Sequence, residues 1–323
     1  LKRVVNLLIA AIVSAILSVN FLAFLQARAM TRFAESGERT GRPEALGALE
    51  KIGVMLSGVH IVRLPNRRTP AELELPFTTH RYLNPSGSTL EAWHIPGSAD
   101  LPMVALFHGY AANKSTLLSE ASALYELGHS VLLVDFYGSG GSSGSGTTIG
   151  VREAEDVAAT VDYIRRAWPK QKLVLYGISM GGAAVLRAVA VGSVSPDAII
   201  IEATFDRLLN TGRNRFQSIG LPGSPFAELL LFWGSLQNGF NFFTHNPVDY
   251  ARSVRCPTLI LHGEKDQRVM LDEARSIAAA MGGMARLITY PEVPHRPIAT
   301  ARPDAWRRDV ARFLAQLSSD SPS

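Results

Sequence analysis

The chain opens on 22 consecutive uncharged positions, Val4 to Leu25, interrupted only by the polar Asn6, Ser14, Ser18 and Asn20. A helix rises about 1.5 Å per residue and a bilayer's hydrocarbon core is roughly 30 Å thick, so about 20 apolar residues suffice to cross it. The run is apolar nearly all round, which sets it apart from a core helix with one polar face. A cleavable signal peptide is the rival reading. Lys2 and Arg3 form a basic start, and Ala27-Arg28-Ala29 has the small-x-small form of a cleavage site. The length of the run, and its continuation into Arg28 and Arg32, favour a span.

Beyond this segment the pattern changes. Gly37, Gly41, Pro43 and Gly47 break up a connecting stretch in which one helix is expected over 46–62. From Leu73 onward short apolar runs alternate with longer amphipathic segments, the signature of an α/β sheet with helices on both faces. Strands are expected at Met103–Phe107, Ser130–Val134, Lys172–Tyr176, Ala198–Ile201, Thr258–Leu261 and Arg286–Tyr290, mostly as continuous apolar runs suited to burial on both faces. Leu73–Tyr82 and Leu90–Ile95 read as an antiparallel pair turning at Pro85-Ser86-Gly87-Ser88. Helices are expected at Lys114–Leu127, Val151–Ala167, Gly181–Val191, Leu271–Met281 and Pro303–Leu317. The implied organisation is a transmembrane anchor (1–26), a connecting region (27–70), a first core segment (71–204), a cap insertion (205–250), a second core segment (251–318) and a tail (319–323).

Composition narrows the classes. With 323 residues, 47% of them hydrophobic and 19% charged, the chain can bury a full core and is not disordered, collagenous or a coiled coil. Its single cysteine, Cys256, cannot form an internal disulfide, and no Cys/His cluster has zinc spacing, so neither metal nor organic cofactor is expected. Basic residues after the apolar run, among them Arg28, Arg32, Arg39, Arg42, Arg63, Arg67 and Arg68, contribute to the net charge of +4. Set against Lys2 and Arg3 before the run, Arg28, Arg32, Arg39 and Arg42 after it, mixed with Glu35, Glu38 and Glu44, lean towards a cytoplasmic globular part. They suit an anionic lipid surface and equally a solvated loop; without interleaved aromatics they do not point to nucleic acid.

The chemistry concentrates in four places. Gly177-Ile178-Ser179-Met180-Gly181 falls between an expected strand and an expected helix, where the elbow glycines Gly177 and Gly181 permit a sharp turn that exposes the Ser179 hydroxyl. A serine needs a base, and the base needs an orienting acid. His262-Gly263-Glu264-Lys265-Asp266 closes a later strand and offers Asp266 as the acid, with Glu264 or Asp135 as alternatives. Pro294-His295 follows the next strand and offers His295 as the base. Phe107-His108-Gly109-Tyr110 closes an earlier strand, so the Tyr110 amide beside the Met180 amide would supply two oxyanion donors, with His108 ordering the loop. The glycine- and serine-rich run Gly138–Gly146 fails the dinucleotide pattern at Ser143 and lacks the P-loop lysine; it reads as a flexible turn near the site.

These residues, in this order, resemble an α/β-hydrolase over about Leu73 to Leu317, most nearly the membrane-anchored α/β-hydrolase-domain and Bem46-like branch. The resemblance implies a mostly parallel central sheet with helices on both faces, an inserted helical cap and an N-terminal span. It also implies Ser179 as nucleophile, Asp266 as acid, His295 as base, and the amides of Tyr110 and Met180 as oxyanion donors. One departure stands at Tyr137, where the family commonly has arginine in its Asp-x-Arg-Gly stretch. The cap segment holds eight aromatics between Phe205 and Phe243, suited either to line an acyl pocket or to pack the cap. A serine at the nucleophile position argues against the dehalogenase and epoxide-hydrolase branches. The expected function is therefore a membrane-anchored serine hydrolase of carboxylic, lipid or acyl-thioester substrates. A serine peptidase of the same fold and a non-catalytic scaffold binding lipid or protein are the alternatives.

Overall fold

The apolar runs pair into an eight-stranded sheet in a computed structural model of the chain, which describes residues 1–41, 47, 49–50, 53–54, 58–192 and 194–319. The strands are β1 (Thr78–Leu83), β2 (Thr89–Ile95), β3 (Met103–Phe107), β4 (Val131–Asp135), β5 (Leu173–Ile178), β6 (Ala198–Glu202), β7 (Thr258–Gly263) and β8 (Ala285–Tyr290). Their order in the sheet is β1-β2-β4-β3-β5-β6-β7-β8. The β1–β2 and β2–β4 pairs are antiparallel and every other pair is parallel. The six expected parallel strands form within two residues of their expected ends. The first antiparallel strand starts later than expected, because Pro70–Leu73 coil into a 3-10 turn closed by Glu74 at φ 57°. Of the helix expected over 46–62, residues 46, 48, 51–52 and 55–57 lie outside the described residues; 49–50 and 53–54 are helical, but 58–62 are not, and Val62 instead forms a parallel bridge with Ala34.

Period-two alternation divides each strand between two cores. Met103, Ala105 and Phe107 face one side with Leu173 and Leu175, where they meet Val157 and Ile164 of α3 (Glu153–Ala167), Ala184 and Val185 of α4 (Met180–Val191) and Ile277 of α8 (Leu271–Met281). Val104 and Leu106 face the other side with Val174 and Tyr176, against Leu124 of α2 (Leu118–Glu126) and Trp306, Val310 and Phe313 of α10 (Pro303–Ser319). The central strands are buried on both faces, which is why their sequences are continuously apolar. Two short helices, α7 (Pro247–Ala251) and α9 (Ile298–Ala301), complete this unit, which comprises residues 63–207 and 246–323.

A second compact unit comprises residues 1–62 and 208–245. It contains α1 (Lys2–Thr31), α5 (Leu208–Gln217) and α6 (Phe226–Asn238). The apolar run forms the body of α1, whose helix continues to Thr31 rather than ending at 26. Most of the cap aromatics pack within this unit, as in the Phe216–Phe226 and Phe240–Phe242 ring contacts at 5.7 and 6.1 Å, whereas Phe205 belongs to the sheet unit.

Candidate active site

Four loops at the carboxyl ends of parallel strands carry the expected chemistry, where an open α/β sheet leaves room for a ligand. After β5 the backbone turns through Ser179 at φ 53°, ψ −112°, in a region non-glycine residues rarely occupy, and enters α4 at Met180. The turn closes only because its neighbours lack side chains. A Cβ at Gly177 would stand 2.5 Å from the Gly181 backbone, and one at Gly181 would stand 2.3 Å from the Phe107 carbonyl oxygen. The Ser179 amide donates to the Glu202 carbonyl at 2.7 Å, which fixes the strained residue to the end of β6. A strain of this kind persists only where its surroundings over-determine it, and it concentrates at functional sites.

The loop after β3 passes beside this serine. A Cβ built on Gly109 would lie 3.7 Å from Ser179 Cβ and 3.5 Å from the Ile178 carbonyl oxygen. His108 is fully buried, and burial lowers its pKa, so the ring is neutral. The Phe136 amide donates to its Nε2 at 3.2 Å, so the ring proton sits on Nδ1 and is donated to the Gly109 carbonyl at 2.8 Å. That carbonyl and the Tyr110 N–H belong to one peptide plane and point in opposite directions. By holding the first, His108 sets the direction of the second. The ring has no nitrogen left to act as a base.

The third and fourth loops meet at a carboxylate. Asp266, with its side chain only 1% exposed, accepts the amides of Arg268 and Val269 on Oδ1, each at 2.9 Å, and presents Oδ2 to His295 Nδ1 at 2.7 Å. Since a carboxylate only accepts, Nδ1 carries the proton and Nε2 is the basic nitrogen of the neutral ring. The loops are pressed together, because a Cβ on Gly263 would stand 2.3 Å from the Val293 carbonyl oxygen. Buried His262 supports the Asp266 loop from beneath through the contact of its Nε2 with the Val269 carbonyl at 3.0 Å.

The alternative acids lie elsewhere. Glu264 accepts the Thr289 hydroxyl at 2.7 Å on an exposed edge. Asp135 is fully buried and pairs with the equally buried Lys114 ammonium, which also meets Glu91 at 2.9 Å and stands 4.4 Å from the centre of the Trp93 ring. Lys114 and the other donors hold the Asp135 carboxyl below the usual range despite its burial.

The glycine run beside Asp135 is not the flexible turn its composition implies. Gly141 donates to Asp135 at 2.8 Å, Ser142 is 1% exposed and its hydroxyl reaches the Asp135 carbonyl at 2.6 Å. A Cβ would stand 2.0 Å from Asp135 Oδ2 at Gly140 and 1.9 Å from Glu91 Oε1 at Gly141. The glycines are there to let the backbone close over two carboxylates.

Sequence reasoning missed Glu202, Thr204 and Glu120. Glu202 supports the elbow through its carbonyl, while its Oε1 accepts the Ile298 amide at 2.7 Å and its Oε2 accepts the Tyr176 hydroxyl. Thr204 Oγ1 occupies the space beside Gly182, 2.0 Å from where a Cβ would be. Glu120 is wholly buried nearby, and burial together with the Glu202 charge raises its pKa to about 8. The available signal was a glutamate closing the apolar strand Ala198-Ile199-Ile200-Ile201-Glu202, where a charge is out of place.

Comparison with known proteins shows what the chain is similar to. The family model described as serine aminopeptidase, S33, matches residues 100–218. The Escherichia coli O157:H7 protein YfhR is 27% identical over 244 residues, covering 73% of this chain and 79% of the relative. Protein bem46 of Schizosaccharomyces pombe is 24% identical over 225 residues, covering 69% and 70%. Among solved structures, a Pyrococcus furiosus esterase aligns with a TM-score of 0.66 at 23% identity, covering 79% of this chain and 96% of its own. An Exiguobacterium antarcticum esterase aligns at 0.56 and 18% identity, covering 74% and 100%. At these identities the structural likenesses establish the fold.

Proposed function

We propose that the chain, whose fold and relatives are those of α/β-hydrolases and of their Bem46-like branch, is a membrane-anchored serine hydrolase that cleaves carboxylic esters through Ser179, His295 and Asp266. The observation that carries this reading is the backbone of Ser179, held at φ 53° at the head of α4. A strained serine at a strand-to-helix elbow is what a nucleophile requires: an exposed hydroxyl with the following amide directed at the same point.

In this reading Ser179 Oγ attacks the ester carbonyl carbon while His295 Nε2 takes its proton. The Asp266 carboxylate stabilises the imidazolium without accepting that proton. Negative charge gathers on the carbonyl oxygen, and the Tyr110 and Met180 amides stabilise it there. Collapse breaks the bond to the alcohol oxygen, which leaves with the proton from His295, and the acyl group stays on Ser179. Water then attacks the acyl-enzyme, gives its proton to His295, and the acid departs as Ser179 regains its hydrogen. No metal or organic cofactor is required in this sequence.

The anchor in this proposal is α1. Its apolar residues from Val4 to Leu17 are exposed in the protein itself, which supports lipid rather than a protein core as their surroundings. A peptidase is the second reading, favoured by the description of the matching family model, because ester and amide cleavage share this chemistry. The test is a panel of p-nitrophenyl esters of increasing chain length, acyl-thioesters and aminoacyl anilides, run with wild type and Ser179→Ala. Ester turnover lost in the variant supports the proposal; anilide turnover alone supports the peptidase. Turnover of both that survives in Ser179→Ala would overturn the serine mechanism.

A further inference from the structure

We propose that α6 is a second, interfacial membrane contact, lying against the last turns of α1 and presenting Phe232 and Leu236 to the headgroup–acyl boundary of the leaflet. The inference rests on reading α1 as a span and goes beyond it. The two helices meet along one face of α1. The Trp233 indole N–H donates to Asn20 Oδ1 at 3.2 Å, Gln237 Nε2 donates to the Phe24 carbonyl at 2.8 Å, and the Phe24 and Trp233 rings meet edge-on at 5.6 Å. Below them Ala27 is 2% exposed, with Gly234 opposite it, so small residues let the helices approach closely.

These contacts fix a depth. Arg28 is the first charged residue after the apolar run and marks where α1 meets the polar boundary. Phe24 is four residues earlier and Asn20 eight, or about 6 and 12 Å inside that level at 1.5 Å per residue. Interfacial helices bury their apolar face by roughly 5–10 Å, the level at which Trp233 stands. Tryptophan, with its apolar ring and single donor, is enriched at that depth.

The surface of α6 fits the same surroundings. Phe232 and Leu236, one turn apart, are 47% and 61% exposed, and Phe243 just beyond the helix is 38% exposed. Residues 229–244 carry no formal charge, and the one carboxylate of the helix, Glu228, is bound by Arg213 at its start. The Phe232 ring lies 5.2 Å from that of Trp233, whose contacts with Phe24 and Asn20 set this exposed patch beside the part of α1 that carries exposed Leu17 and Phe21. An exposed, uncharged apolar patch held against a spanning helix at this depth shares the solvent that covers the span, which is lipid.

The test uses the full-length protein with Cys256→Ser, reconstituted in phosphatidylcholine–phosphatidylglycerol vesicles. Single cysteines at Leu236→Cys, Ile9→Cys and Glu155→Cys are labelled with an environment-sensitive fluorophore. Quenching by lipids bearing a nitroxide at acyl carbon 5 or 12 then reports depth. The proposal predicts that the probe at 236 is quenched at least two-fold more strongly by the carbon-5 than by the carbon-12 lipid, that the probe at 9 shows the reverse preference, and that the probe at 155 is not quenched. A probe at 236 that behaves like the one at 155, while position 9 is quenched, overturns the second contact and leaves the anchor. A blue-shifted but unquenched probe at 236 means a second copy of the chain covers the patch, and also overturns it. If position 9 is unquenched as well, the anchor reading itself fails.

Discussion

The Glu202 carboxylate accepts the Ile298 amide at 2.7 Å, three residues beyond His295. The same residue's carbonyl accepts the Ser179 amide at 2.7 Å, so one buried side chain and its own backbone connect the candidate nucleophile to the loop of the candidate base. Removing the carboxylate frees the start of α9, and a displacement of about 1 Å at a reacting group costs on the order of 10²-fold in rate. Glu202→Ala is therefore expected to lower kcat by about 10²-fold with little change in KM. Glu202→Gln, which keeps an acceptor for Ile298, is expected to recover most of that loss. Steady-state ester hydrolysis distinguishes this from a purely structural role, in which both variants would lose folded protein rather than turnover.

Buried carboxyls should shape the dependence of stability on pH. Burial raises Glu202 to about 7, and burial with the Glu202 charge raises Glu120 to about 8, from an ordinary value of 4.5. Both folded values lie above the unfolded ones, so the native state binds these protons more tightly. Their contribution to stability is fully present below about pH 4.5 and is lost as pH rises through about 7 to 8. Neither Glu120 oxygen has a hydrogen-bond partner among the described side chains, so Glu120→Gln gives up little in the neutral state. Thermal unfolding should show Tm falling from mildly acidic to alkaline pH in the wild type. The variant should gain about 4 °C or more at alkaline pH, corresponding to about 2 kcal/mol, and almost nothing at pH 5. Equal shifts at both pH values would contradict the assignment.

His108 predicts a different signature. If it acts only by fixing the Gly109–Tyr110 peptide, then His108→Ala misdirects one oxyanion donor and lowers kcat by about 10²- to 10³-fold. The acidic limb of the pH–rate profile should keep its midpoint, because the base remains His295. A moved midpoint would mean that His108 itself exchanges the proton.

Lys114 should matter to stability rather than to chemistry. Its ammonium is fully buried against Asp135 and Glu91, so Lys114→Met leaves two carboxylates facing each other without their shared cation. Breaking a buried ion group in this way costs about 3–5 kcal/mol. Chemical denaturation of the detergent-solubilised variant should show a midpoint shift of that size. A shift under about 1 kcal/mol would place the balancing charge elsewhere, with Arg81, already on Glu91 at 2.5 Å, as the substitute.

Much of the sheet was legible because a strand buried on both faces has to be a continuous apolar run, and a strand-to-helix elbow has to contain small residues around its serine. What stayed illegible depends on contacts between distant positions. Three acids followed the strands in compatible places, and only packing distinguishes Asp266, held by two amides and facing His295, from Asp135 beneath Lys114 and Glu264 at the edge. The run Gly138–Gly146 has the composition of a loose turn, yet its close approach to Asp135 and Glu91 is set by residues on other strands. Lys114 carries no sequence sign of burial, since lysines are almost always exposed. The end of the apolar run at Leu25 was readable from hydropathy, but the continuation of the helix to Thr31 was not, nor that Asn20, Phe24 and Ala27 meet residues more than 200 positions away.

The central claim is that Ser179 is an activated nucleophile, and a fluorophosphonate probe tests it without any assumption about substrate. The detergent-solubilised wild type and Ser179→Ala would be incubated with the probe, and the adduct mapped by mass spectrometry. The account predicts a single adduct on Ser179, absent in Ser179→Ala and slowed by about 10³-fold or more in His295→Ala. Folded wild-type protein that takes up no probe, or an adduct that persists unchanged in Ser179→Ala, would contradict it.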